Sequence, residues 1–83
     1  MSYKNKIVFF KVSNPIYEPY KKLKSPIVKC TAKKIQIEHI SLLNLEFTQA
    51  DGTNEQSFSF ELGFSKKNVE HELSKLFNEF IEL

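Results

Sequence analysis

From Ser57 to Phe64 the chain reads SFSFELGF, and its apolar residues, Phe58, Phe60, Leu62 and Phe64, fall at every second position. A period of two sets all four on one face of an extended strand, whereas a helical face repeats every 3.6 residues. A strand with one apolar face needs neighbours in a sheet and a second layer to cover it. This segment therefore demands partner strands and a covering element from the rest of the chain.

Candidates for both are present. KIVFFKV (6–12) is rich in β-branched and aromatic residues and reads as a first strand, buried on both faces in its middle. All three prolines, Pro15, Pro19 and Pro26, fall in 13–26, which predicts an extended loop or irregular edge. IVKCTAKK (27–34) is a second strand with Val28, Cys30 and Ala32 inward. Ile35 and Ile37 then lie in the opposite parity, so a bulge or tight turn is expected at Lys33–Lys34. In IQIEHISLLNLEF (35–47) the buried phase passes through His39 and Ser41. A turn near 39–42 would explain this, but Gly, Asn and Asp are absent until Asn44, which favours one long bent or bulged strand. QADGTNEQ (49–56) contains Asp-Gly, a strong hairpin signal.

The covering element is expected last. Val69, Leu73, Leu76, Phe77, Phe80 and Leu83 recur at spacings of 3 and 4 and predict an amphipathic helix to the end of the chain. Asn68 is its preferred N-cap, since it puts Glu70 and Glu72 in the first turn, and Lys75 and Glu79 are spaced for an ion pair. The predicted fold is α+β: a strongly bent antiparallel sheet of four to five strands with one C-terminal amphipathic helix packed on it. Its core is expected from Val28, Ile35, Ile37, Leu45, Phe47, Phe58, Phe60, Leu62, Leu73, Leu76, Phe77 and Phe80.

Length makes this a single small domain, 1–83, burying about 60 to 65% of its unfolded surface. The lone Cys30 allows no internal disulfide and suits a reducing, cytoplasmic setting. No apolar run approaches the length that spans a membrane. Charge is polarised: residues 1–34 hold nine of the twelve Lys and one acid, and residues 35–83 hold three Lys and nine acids. There is no Arg, so an anion would be met by point charges without a bidentate fork.

The residues carry no catalytic or cofactor signature. Cys30, His39 and His71 are scattered without metal-ligand spacing and without a nucleophile–base arrangement. His39 reads as a half-buried residue bonded to a backbone carbonyl. Glu38, Glu46, Asp51, Glu55 and Glu61 read as solvated acids, and Gly52 and Gly63 are isolated, so no glycine-rich phosphate cradle exists. No metal, no cofactor and no enzyme activity are expected. The strongest candidate site is the segment YEPYKKLK (17–24): Tyr17 and Tyr20 beside Lys21, Lys22 and Lys24, with Lys29, Lys33 and Lys34 expected nearby. Interleaved aromatics and lysines suit a nucleic-acid strand by stacking and charge neutralisation, or an acidic protein surface.

IEHISLLNLEF also resembles the core of PilZ domains, in which Asp-x-Ser-x-x-Gly and an upstream Arg-x-x-x-Arg bind a cyclic dinucleotide. Ser41 and its apolar flanks match. His39 stands in place of the acid, Asn44 in place of the glycine, and only Lys21 to Lys24 stand near the arginine position. The resemblance implies a degenerate ligand-binding barrel with most nucleotide-binding chemistry lost. The reading from the residues is a small non-enzymatic binding protein, an inhibitor or adaptor, bacterial or phage-encoded, that occupies a surface of a larger protein. A nucleic-acid-binding module is the alternative, and a homodimer is left open.

Overall fold

The computed structural model describes residues 6–54 and 57–83. The fold is α+β: a five-stranded antiparallel sheet and two short helices. In chain order the elements are β1 (Val8–Pro15), α1 (Glu18–Lys21), β2 (Ile27–Ile37), β3 (Ile40–Gln49), β4 (Phe58–Phe60), α2 (Lys66–Leu76) and β5 (Phe77–Glu82). The sheet order is β4-β3-β2-β1-β5, which leaves β4 and β5 as its edges.

β2 and β3 form a long hairpin whose register runs unbroken from Lys29↔Thr48 to Ile37↔Ile40. The turn is Glu38–His39, with Glu38 at φ 54. One continuous bent strand through 39–42 was the expectation, and the chain reverses there instead. Two-residue hairpin loops favour positive φ at their first position, which glycine reaches freely and glutamate only with strain. Turn chemistry is therefore masked by residue type, and the reason for expecting a strong bend disappears. His39 is exposed at the tip, not half-buried in a strand. The irregularity expected at Lys33–Lys34 is also absent, since those residues pair regularly with Asn44 and Leu43, and the register shift lies between Ile27 and Lys29. It turns Ile27 into the core in place of Val28.

The alternating segment at 57–64 is a strand only over Phe58–Phe60, paired with Leu45 to Leu43, before the chain bends away. The preceding loop is held by Gly52 at φ 92, whose N–H donates to the Gln49 carbonyl. The hairpin expectation reaches residues 55 and 56, which lie outside the described residues.

The C-terminal helix is shorter than its apolar spacing predicts. Ser65, not Asn68, is the N-cap, its hydroxyl accepting from the Asn68 N–H at 3.2 Å. Lys66 and Lys67 therefore occupy the first turn. The helix ends at Leu76, because Phe77 is extended and residues 77–82 pair with β1 as Pro15↔Phe77 to Phe10↔Glu82. The Leu76 carbonyl accepts from the Ile16 and Tyr17 N–H groups at 2.7 and 3.3 Å, so the helix end is not left unsatisfied. A spacing of 3 and 4 fits Phe77 and Phe80 to a helix, but the open edge of β1 offers them hydrogen bonds as well as burial. Lys75 pairs with Glu72 at 3.5 Å rather than with Glu79, which is bonded by Asn14.

Val8, Phe10 and Val12 on β1, Cys30 and Ala32 on β2, and Leu43, Leu45 and Phe47 on β3 form the buried sheet face. Val69 and Leu73 of α2 and Tyr20 of α1 cover it, with Phe77 and Phe64. Leu45, Phe47, Leu73 and Phe77 are buried as expected. Phe58, Phe60, Leu76 and Phe80 are partly buried against this core, while Ile35, expected in it, lies on the opposite face and Val28, Ile37 and Leu62 are exposed. At about 25 cal/mol per Å², burying one such side chain contributes roughly 1.5–3 kcal/mol. Among the described residues no helix is long and apolar enough to cross a membrane.

Candidate functional site

The lysine–tyrosine segment divides on folding. Pro19 lies at the start of α1, a single turn that inserts Tyr20 into the core at 4% exposure. The Tyr20 ring lies 5.5 Å from Phe47 and 6.0 Å from Phe77, centroid to centroid. Tyr17 is half-buried and packs edge-on against Tyr20 at 4.9 Å and Phe58 at 6.1 Å. Neither ring is presented as a platform for a base while it holds this place. Lys21, Lys22 and Lys24 are exposed, Lys21 with Glu18 at 3.4 Å.

Lys33 and Lys34 do not join them. They lie six and seven residues beyond Ile27, about 20 Å away along the strand at roughly 3.3 Å per residue. They also point to opposite faces of β2. Ser41, the residue that carried the PilZ resemblance, pairs with Gln36 near the far end of the same hairpin, so it and Lys21 to Lys24 lie at opposite ends of the sheet. Cys30 is buried in the core, which pushes its thiol up to about 12. Among the described residues, no group of three His, Cys, Asp or Glu is placed to hold a metal ion.

A different surface emerges from the register. Both helices pack on one face of the sheet, and among the described residues no helix covers the other. Directly paired residues share a face and alternate residues along a strand return to it. Opposite the core lie Phe9 and Lys11 on β1, Lys29, Thr31, Lys33, Ile35 and Ile37 on β2, Ile40, Leu42, Asn44, Glu46 and Thr48 on β3, and Glu79 and Ile81 on β5. Leu83, whose N–H donates to the Phe9 carbonyl, and Ile7 extend this surface by alternation. Ile81 and Leu83 are 66% and 72% exposed, and Ile7, Phe9, Ile37 and Ile40 lie between 39% and 56%.

An antiparallel sheet with one solvated face ordinarily shows polar residues there. Here Ile7, Phe9, Ile81 and Leu83 cluster on β1 and β5, and Ile35, Ile37, Ile40 and Leu42 cluster on the β2–β3 hairpin, and exposed apolar clusters of this kind are often functional. Near the middle of the face sit three lysines. Lys11 and Lys29 are direct cross-strand partners, and the Lys29 ammonium lies 4.6 Å from the centre of the Phe9 ring. Among the described residues, no carboxylate lies within ion-pair distance of Lys11, Lys29 or Lys33.

This face was not singled out from the sequence because the middle of β1 was expected to be buried on both sides. Phe10 is fully buried and Phe9 is not. The available signal was the lysine at position 11, in phase with Ile7 and Phe9. No protein-family model matches the chain, and comparison with curated proteins and with solved structures gave no significant match.

Proposed function

We propose that this chain is a small non-enzymatic binding protein, an inhibitor or adaptor acting in the cytoplasm, that occupies a surface of a larger protein partner through the bare face of its sheet. The observation that carries this reading is the apolar exposure at Ile7, Phe9, Ile37, Ile40, Ile81 and Leu83 on one continuous face. Aliphatic side chains gain most from a dry, shape-matched protein surface, where a few desolvated anchors hold most of the affinity. The alternative, a nucleic-acid module built on Lys21, Lys22 and Lys24, is weakened by the engagement of Tyr17 and Tyr20 in packing.

The test is affinity capture from native-host extract, with and without nuclease, using the wild-type chain, Ile81→Glu, and a triple Lys21/Lys22/Lys24→Gln variant. The expected result is a nuclease-resistant protein partner that Ile81→Glu loses and the triple variant keeps. Nuclease-sensitive capture abolished by the triple variant would overturn the reading. Its salt dependence, about 0.7 in log K per phosphate on a single strand, would then count the phosphates contacted.

A further inference from the structure

We infer that the partner of the bare sheet face is an acidic and apolar protein surface, with one or more carboxylates seated over Lys11 and Lys29. The inference rests on the reading of that face as the docking surface and adds the chemistry of what it takes. Lys11 and Lys29 stand directly opposite each other on the same face, and neither forms an ion pair with an acid among the described residues, Glu46 opposite Thr31 included. Like charges at directly opposed positions destabilise a sheet. The repulsion is relieved when a carboxylate from outside lies between the two ammonium groups. Phe9 and Ile81 border the pair, since Ile81 is the cross-strand partner of Lys11. Such a frame excludes water from an ion pair formed there, which strengthens the attraction.

Other occupants fit less well. A second copy would bring three lysines against a face whose acids are Glu46, opposite Thr31, and Glu79, which Asn14 already bonds. A twofold axis near the lysine pair would set four ammonium groups together. A nucleic acid would find one exposed ring, Phe9, already under the Lys29 cation, and aliphatic surface that offers no stacking.

The probe is a random-peptide display library panned on the folded chain. The enriched peptides should carry Asp or Glu between large apolar residues. Their affinity should fall about tenfold or more with Lys29→Glu and with Lys11→Glu, while Lys22→Glu leaves it within about twofold. Panning on the Lys11→Glu/Lys29→Glu double variant should enrich Lys or Arg instead. Lys11→Gln and Lys29→Gln are the second variants should charge reversal unfold the chain, with circular dichroism as the folding check.

Peptides lost with Ile81→Glu but free of acids would overturn the acidic partner and leave the docking face standing. No enrichment for the face at all would overturn both readings. Tight binding of a thymidine oligonucleotide or of phosphatidylserine vesicles at physiological salt, lost with Lys29→Glu, would overturn the inference in favour of a nucleic acid or a membrane surface. A concentration-dependent dimer dissolved by Ile81→Glu would do so in favour of a second copy.

Discussion

Phe47→Ala tests which face of the sheet is the core, and with it the identity of the bare face. Phe47 is fully buried on β3, and its ring meets Tyr20 of α1 at 5.5 Å, Phe58 of β4 at 6.0 Å and Phe77 of β5 at 5.7 Å. Truncating a core Phe costs about 3 to 5 kcal/mol, set by how far the surroundings collapse into the void. Three elements would have to move together here, so the cost should lie near the upper end, about 4 to 5 kcal/mol. At roughly 0.05–0.15 kcal/mol per residue the whole domain is stable by about 4 to 12 kcal/mol. With a urea slope near 1 kcal/mol per M, the midpoint should fall by about 4 M or the variant should not fold at all. Phe9→Ala is the control. It removes a half-exposed ring and one cation–π contact, which together contribute about 1 to 2 kcal/mol. The assay is urea unfolding followed by far-ultraviolet circular dichroism and tyrosine fluorescence, since the chain has no Trp. Equal midpoint shifts for the two variants, or a larger one for Phe9→Ala, would refute the assignment of faces and the docking surface built on it.

Three shorter predictions follow from local geometry. Glu38→Gly should stabilise the chain by up to about 1 kcal/mol by relieving the positive φ at the hairpin tip, read as a rise in melting temperature. Ser65→Ala should cost about 1 kcal/mol through loss of the N-cap, whereas Asn68→Ala, which removes the bond to the Gly63 carbonyl, should leave the helix start intact by amide hydrogen exchange. Native Cys30 should resist Ellman's reagent at pH 8 and react on unfolding. Its folded-state value of about 12 lies above the ordinary 9.0, so its contribution to stability is present below about pH 9 and is lost as pH rises toward 12.

The sequence made the antiparallel strands legible wherever side chains alternate under a clear breaker, as in β3 before Asp51-Gly52 and in β4. It misled where backbone demands were met by residues that do not advertise them. Glu38 takes a left-handed turn position with no Gly, Asn or Asp to mark it. At the other end of the chain, Leu73, Leu76, Phe77 and Phe80 satisfy a helical period, yet only the first two are helical. What ends the helix is a tertiary fact, the unpaired edge of β1, and no local pattern in 77–82 announces it. The lysine–tyrosine segment failed to gather for a related reason. Composition shows which residues are adjacent in sequence, but a single helical turn sends Tyr20 inward and Lys21 outward.

The misread C-terminus and the missed face are one event. Had residues 77–83 continued the helix, Phe80 and Leu83 would have belonged to the core and β1 would have been an edge. As a strand, the same residues complete the sheet and add Ile81 and Leu83 to its bare side, beside Lys11 and Phe9. That side then exposes Ile7, Phe9, Ile81 and Leu83 together, and charge is the usual defence of exposed apolar sheet surface. Lysines at positions 11, 29 and 33 supply that defence in the free chain, and so would glutamates. Solubility alone is indifferent to sign. Partner choice is not, because a carboxylate that lies well between two ammonium groups is repelled by two carboxylates. The Lys11→Glu/Lys29→Glu chain should therefore stay soluble and folded while its preference reverses, and a reversal without loss of stability separates a recognition role for the pair from a merely protective one.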